Sequence, residues 1–109
     1  VTLSPPRRAR YCASEVFFHA AARAEHLDHV AYYESRRAGL GSYLGEFESA
    51  MKRICEEPEL DAIAREPGIR RLHLRQFPLT VLYREVDGGV QVLAVAHKRR
   101  RPSYWVARI

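Results

Sequence analysis

The chain has 109 residues, 47% apolar and 28% charged, ordinary proportions for one globular domain with a single core. No apolar run approaches the ~20 residues of a membrane-spanning helix, and the N-terminus lacks the apolar centre of a signal peptide. Net charge is +5 and unevenly spread: residues 1–24 carry +3, residues 25–66 carry −5 and residues 67–109 carry +7. A basic last third behind an acidic middle favours a polyanionic or acidic protein partner and gives no reason to expect a membrane one. Cys12 and Cys55 are too few and too far apart to suggest a disulfide framework or a zinc knuckle, so a reducing cytoplasm is the expected compartment.

In chain order, residues 1–14 (VTLSPPRRARYCAS) have a Pro-Pro pair and no periodicity, and read as a loose basic arm before a single domain over 15–109. EVFF (15–18) is short and β-prone, a first strand. Ala20, Ala24, Leu27 and Ala31 then recur at helical spacing, and that helix is expected to stop at Gly39 as a C-cap after Arg36 and Arg37. Ser42 is the expected N-cap of a second helix with Leu44, Phe47, Met51 and Ile54 on its buried stripe, ended by Pro58. The two make a helical hairpin held on the sheet by Leu27 and this second stripe.

The polar segment ELDAIAREPG (59–68) reads as a loop over the sheet edge. After it the period drops to two: Leu72 and Leu74 alternate with Arg71, His73 and Arg75, which predicts one buried and one cationic face. PLTVLYREV, Asp87-Gly88-Gly89 and VQVLAVAH then read as a β-hairpin. The order is β-α-α-β-β-β, with a short closing helix as an option. This is an α+β domain in which a small antiparallel sheet packs on a helical hairpin.

Three segments in this order and spacing, AARAEHLDHVAYYESRRAGLG, FPLTVLYREV and VLAVAHKRRRPSYW, resemble the RelE/ParE superfamily of toxins from bacterial type II toxin–antitoxin pairs. The YYE-to-GLG element and the basic ending through Trp105 look most like the ParE-like branch. The chain departs from that pattern at Leu79, where an aromatic often follows Phe-Pro, and in its longer N-terminal arm. The resemblance implies a small cytoplasmic toxin, associated with plasmid stabilisation and inert while an acidic antitoxin encoded beside it is bound. Two activities share the implied fold. RelE-type members cut messenger RNA on the ribosome, and ParE-type members poison DNA gyrase.

An RNA-cleaving site needs a base, a cation and an acid. His97 is expected to share a face with Val95 and Leu93, opposite Arg84 and Leu82, with Tyr104, Arg75 or His73 as helpers. The plainer reading makes His97 a strand-end residue bonded to a neighbour. Lys98, Arg99, Arg100 and Arg101 form a run fused to a strand end and followed by Pro102, Tyr104 and Trp105. If Trp105 folds back as an anchor, these cations are held in place and, with Arg71 and Arg75, make a surface for a target or an antitoxin. Glu25, His26 and His29 have the helical spacing of metal ligands but lack a fourth partner, and no metal or cofactor is expected. Glu46 reads as a solvated helix acid, and Tyr32 and Tyr33 as hairpin packing residues. The expectation is a ParE-like toxin that acts by binding gyrase within a toxin–antitoxin hetero-oligomer. The alternatives are a ribosome-dependent nuclease acting on messenger RNA, and a plain nucleic-acid-binding module.

Overall fold

The elements in chain order are β1 (Arg8–Arg10), β2 (Glu15–Phe18), α1 (Ala20–Glu34), α2 (Gly39–Glu56), β3 (Ile63–Arg65), β4 (Ile69–His73), β5 (Leu79–Val86) and β6 (Gly89–His97), closed by a 3-10 turn (Val106–Arg108). The computed structural model describes residues 8–12, 14–36 and 39–109, so Arg37 and most of the predicted arm lie outside the described residues. The six strands form one sheet in the order β1-β2-β6-β5-β4-β3.

The hairpin of β5 and β6 turns on Asp87-Gly88, where Gly88 has φ 84°. Space around it is open, but that left-handed backbone strains any L side chain, so glycine is the fitting residue. On the far side of β6, β2 runs parallel, Val16 opposite Val90, which makes the sheet mixed where an antiparallel one was expected. The two strands cross so closely at Gly89 that a Cβ there would lie 1.8 Å from the Glu15 carbonyl oxygen. Two three-residue strands were also missed: Arg8–Arg10 pair with β2 where a loose arm was expected, and Ile63–Arg65 extend the sheet beyond β4 where a loop was expected. Both are too short to show a period and exist through their backbone pairing.

Helices α1 and α2 cover one face of the sheet. The stripe expected on α1 is displaced: Ala20, Ala24 and Ala31 are exposed and Leu27 is half-buried, while Ala22, His26 and Val30 face the core. His26 explains the error, because a residue counted as polar is buried here as a ring. It stacks on Phe47 with centroids 4.0 Å apart and shares a hydrogen bond with the Tyr43 hydroxyl at 2.6 Å. Burial, reinforced by the nearby His29, lowers its pKa to about 4, so the ring is neutral at pH 7. On α2, Phe47, Met51 and Ile54 are buried as expected and Tyr43 joins them, whereas Leu44 is 39% exposed.

The helix boundary also differs. Ser35 ends α1, its hydroxyl donating to the Tyr32 carbonyl at 2.6 Å, and Gly39 is the first residue of α2. Ser42 therefore sits inside α2 and caps nothing. Cys12 and Cys55, expected to be unpaired, form a disulfide joining the turn after β1 to the end of α2. Their sequence separation of 43 residues hides a contact that only the tertiary fold creates.

Candidate functional site

The basic run begins where β6 ends. His97 pairs with Leu79 in the last register of the hairpin, and the chain then turns: Lys98 donates its N–H to the Pro78 carbonyl and Arg100 to the His97 carbonyl, both at 2.9 Å. Arg99 donates its N–H to His97 Nδ1 at 3.1 Å. The turn is held by Trp105, 6% exposed, which folds onto Ile69, Leu82, Leu93 and Ala94 on the sheet face opposite the helices. As anticipated, the tryptophan is an anchor. It also lines the groove beside it, though with little exposed surface of its own.

Around that anchor lies a groove of about 380 Å³ whose walls include Arg71, His73, Lys98, Arg100 and Arg101. All five are exposed, as is Arg99. Strand alternation places Arg71 and His73 on this face, and the anchored turn brings the distant run beside them. Like charges so close repel one another, so the groove's field is positive and suits an anionic surface. Arg75 lies elsewhere: it follows β4, in a second groove against α2.

The C-terminal turn is locked by a network that sequence reasoning missed. Tyr104 donates its hydroxyl to Glu25 Oε2 at 2.6 Å, and Arg108 grips the same carboxylate through two bonds of 2.8 and 2.9 Å. Glu25 Oε1 also accepts the Val95 N–H at 3.0 Å, and His29 Nε2 donates to the Val95 carbonyl at 3.0 Å. Burial raises the Glu25 pKa, but the bonds from Arg108, Tyr104 and Val95 and the Arg108 charge outweigh it and hold the carboxyl below its ordinary value. Burial and the Glu25 bond push the Tyr104 hydroxyl up, so it stays protonated. Arg100 lies 4.0 Å above the Tyr104 ring, which fixes one cation of the run. Glu25 and His29 thus serve the sheet edge, and His26 the core. The i, i+4 spacing of Glu25 and His29 was visible, but only the fold names Val95 as their partner.

The proposed pairing of His97 with Arg84 does not form. His97 stands opposite Leu79 on the helix side, while Arg84 lies with Leu82 on the other side and donates to Gln91 Oε1 at 2.9 Å. They are also five residues apart along the hairpin, about 17 Å at strand spacing. A register shift after Leu82 adds an extra residue on β6, so Val95 shares His97's face as expected while Leu93 turns to the opposite side with Leu82. His97 and Tyr104 do line one small cleft, with His29 and Arg100. Burial first, then Arg99, His29 and Lys98, lowers the His97 pKa, so its ring is neutral at pH 7. Glu46, expected to be solvated, instead accepts the Gln76 N–H at 3.0 Å and that of Arg75, closing the turn between β4 and β5. Tyr33 packs on Tyr43 and Phe77 as expected, whereas Tyr32 is 51% exposed.

A helical hairpin on one face of a mixed sheet, with an anchored cationic turn on the other, defines an α+β fold of the ParE/RelE type. The chain belongs to the family described as ParE toxin of type II toxin-antitoxin system, parDE, which matches residues 16–102. Among solved structures it is similar to a chain of the chromosomal ParDE TA system from P. aeruginosa, at 19% identity and a TM-score of 0.58, covering 81% of this chain and 98% of that one. No curated protein matches the sequence. The chain is a ParE-type toxin of a type II toxin–antitoxin system. Among the described residues no helix is long and apolar enough to cross a membrane.

Proposed function

We propose that this toxin arrests growth by docking on DNA gyrase and that a cognate acidic antitoxin neutralises it in a hetero-oligomer. The observation that carries the reading is the anchored cationic turn: Lys98, Arg99, Arg100 and Arg101 are exposed, yet their backbone is held by bonds to Pro78 and His97 and by buried Trp105. Cations presented on a fixed frame lose little freedom on binding, which favours recognition of a large anionic surface. The separation of His97 from Arg84 supports binding over catalysis, since a nuclease needs its acid, base and cation around one phosphate.

The antitoxin segment is acidic and amphipathic, and the groove beside Trp105 accepts it. Its association rate falls as salt rises, because steering by Arg71 and residues 98–101 is screened. In the decisive test, wild type, His97→Gln and the triple reversal of Arg99, Arg100 and Arg101 to Glu are induced in cells without antitoxin, with gyrase supercoiling assayed in parallel. Arrest and supercoiling loss survive His97→Gln and vanish with the reversal. Cleaved messages that disappear with His97→Gln would establish the ribosome-dependent nuclease instead.

A further inference from the structure

Where the end of α1 meets the turn between β4 and β5 and the end of β6, the fold forms a half-open cavity of about 560 Å³. That volume lies within the range of small-ligand sites and suits one nucleotide-sized molecule. Its lining combines aromatic surface from Tyr32, Tyr33 and Phe77 with polar groups from His29, His97 and Arg99. None of its described lining residues is acidic, and Arg99 is exposed at its rim.

The hydrogen bonds already made fix what the imidazoles offer. His29 gives its Nε2 proton to the Val95 carbonyl, so in the neutral ring Nδ1 is a bare acceptor. His97 Nδ1 accepts from the Arg99 N–H, so its Nε2 carries the proton and is a donor. Gln76, also lining the cavity, offers both a donor and an acceptor. Aromatic surface for a flat ring, mixed donors and acceptors for its edge, and a guanidinium for an anion match one ligand chemistry.

We propose that this cavity binds a free nucleoside 5′-phosphate, its base against the aromatic surface and its phosphate on Arg99. The site adjoins the groove beside Trp105: His97 lines both, and Arg99 belongs to the cationic turn on which the gyrase reading rests, so nucleotide binding is tested apart from growth arrest. A sugar alone lacks the flat ring, and inorganic phosphate uses only the guanidinium, so neither uses both features.

Isothermal calorimetry on the full chain with the four ribonucleoside 5′-monophosphates tests this, using adenosine, inorganic phosphate and a short single-stranded oligonucleotide as comparisons. At least one monophosphate is expected to saturate one site per chain, with adenosine and phosphate each about tenfold weaker or worse. Tyr32→Ala and Arg99→Gln, both at exposed side chains, should each weaken nucleotide binding about tenfold while the circular dichroism spectrum stays that of wild type. No saturation by any monophosphate up to ~10 mM overturns the proposal. So does binding that neither substitution weakens, and so does binding of the oligonucleotide alone.

Discussion

Glu25 on α1 accepts the backbone N–H of Val95 on β6 at 3.0 Å, and His29, one helical turn on, donates to the carbonyl of the same residue. The parallel strand β2 pairs with β6 only over residues 89–92, so Val95 sits on an edge that strand leaves uncovered. Two helix side chains complete its hydrogen bonding in place of a neighbouring strand. Glu25 simultaneously holds Tyr104 and Arg108, so one carboxylate joins the first helix, the last strand and the C-terminal turn.

Removing that carboxylate leaves the Arg108 guanidinium, 15% exposed, without its counter-charge. Glu25→Ala is expected to cost about 3 kcal/mol in a urea titration, the scale for breaking one side of a largely buried pair. A cost below about 1 kcal/mol would show that the network contributes only surface-level stability. The substitution should also loosen the basic turn and weaken antitoxin binding.

Acid is expected to destabilise the protein in two windows. The unfolded chain protonates His26 near its ordinary 6.5, but the folded chain resists until about 4, so stability falls as pH drops between these values. Glu25, whose pKa folding depresses below its ordinary 4.5, contributes stability that is present above that value and lost as pH falls through the depressed one. Thermal melts across this range check both windows. His26→Gln should flatten the upper window and leave the lower one in place.

Two glycines are expected to answer alanine substitution with opposite signs. At Gly89 the new methyl would collide with the Glu15 backbone, which can yield only if β2 moves away from β6. Gly89→Ala should therefore cost about 3 kcal/mol or more. Gly45 lies within α2 with open space around it, so Gly45→Ala should stabilise by roughly 0.5–1 kcal/mol. Denaturant midpoints of the two variants decide the matter.

Reducing the disulfide between Cys12 and Cys55 releases a loop spanning 43 residues. By chain entropy the loss is about 2–4 kcal/mol. Melting temperatures with and without a dithiol reductant, and for Cys12→Ser, should fall together. An unchanged melting temperature under reductant would show that the cross-link contributes nothing.

Much of the sheet was legible because alternation reports burial directly. Leu72 and Leu74 against Arg71 and His73 gave β4 and its cationic face, and Asp87-Gly88 gave the hairpin turn. Where every residue is apolar the same signal fails: VLAVA says nothing about which side each residue takes, so the shift at Leu93, which turns that residue and Arg84's side of the hairpin away from His97, was invisible. The helices existed as predicted, but α1 was turned to the wrong side because alanine is neutral to burial and His26 behaves as an aromatic hydrophobe. The cationic run was plain in the sequence, and so was its anchor. Its companions Glu25, His29 and Arg108 were not, because their partners are backbone groups and charges up to 83 residues away.

The parallel pairing of Val16 with Val90 also orders the events of synthesis. A ribosome makes β2 early, yet the strand beside which it must lie is the last one translated, and such distant pairings close slowly. Until β6 emerges, the helical hairpin has no finished sheet to rest on, and the arginines that follow β6 emerge later still. A nascent chain therefore cannot complete this sheet until β6 has been made.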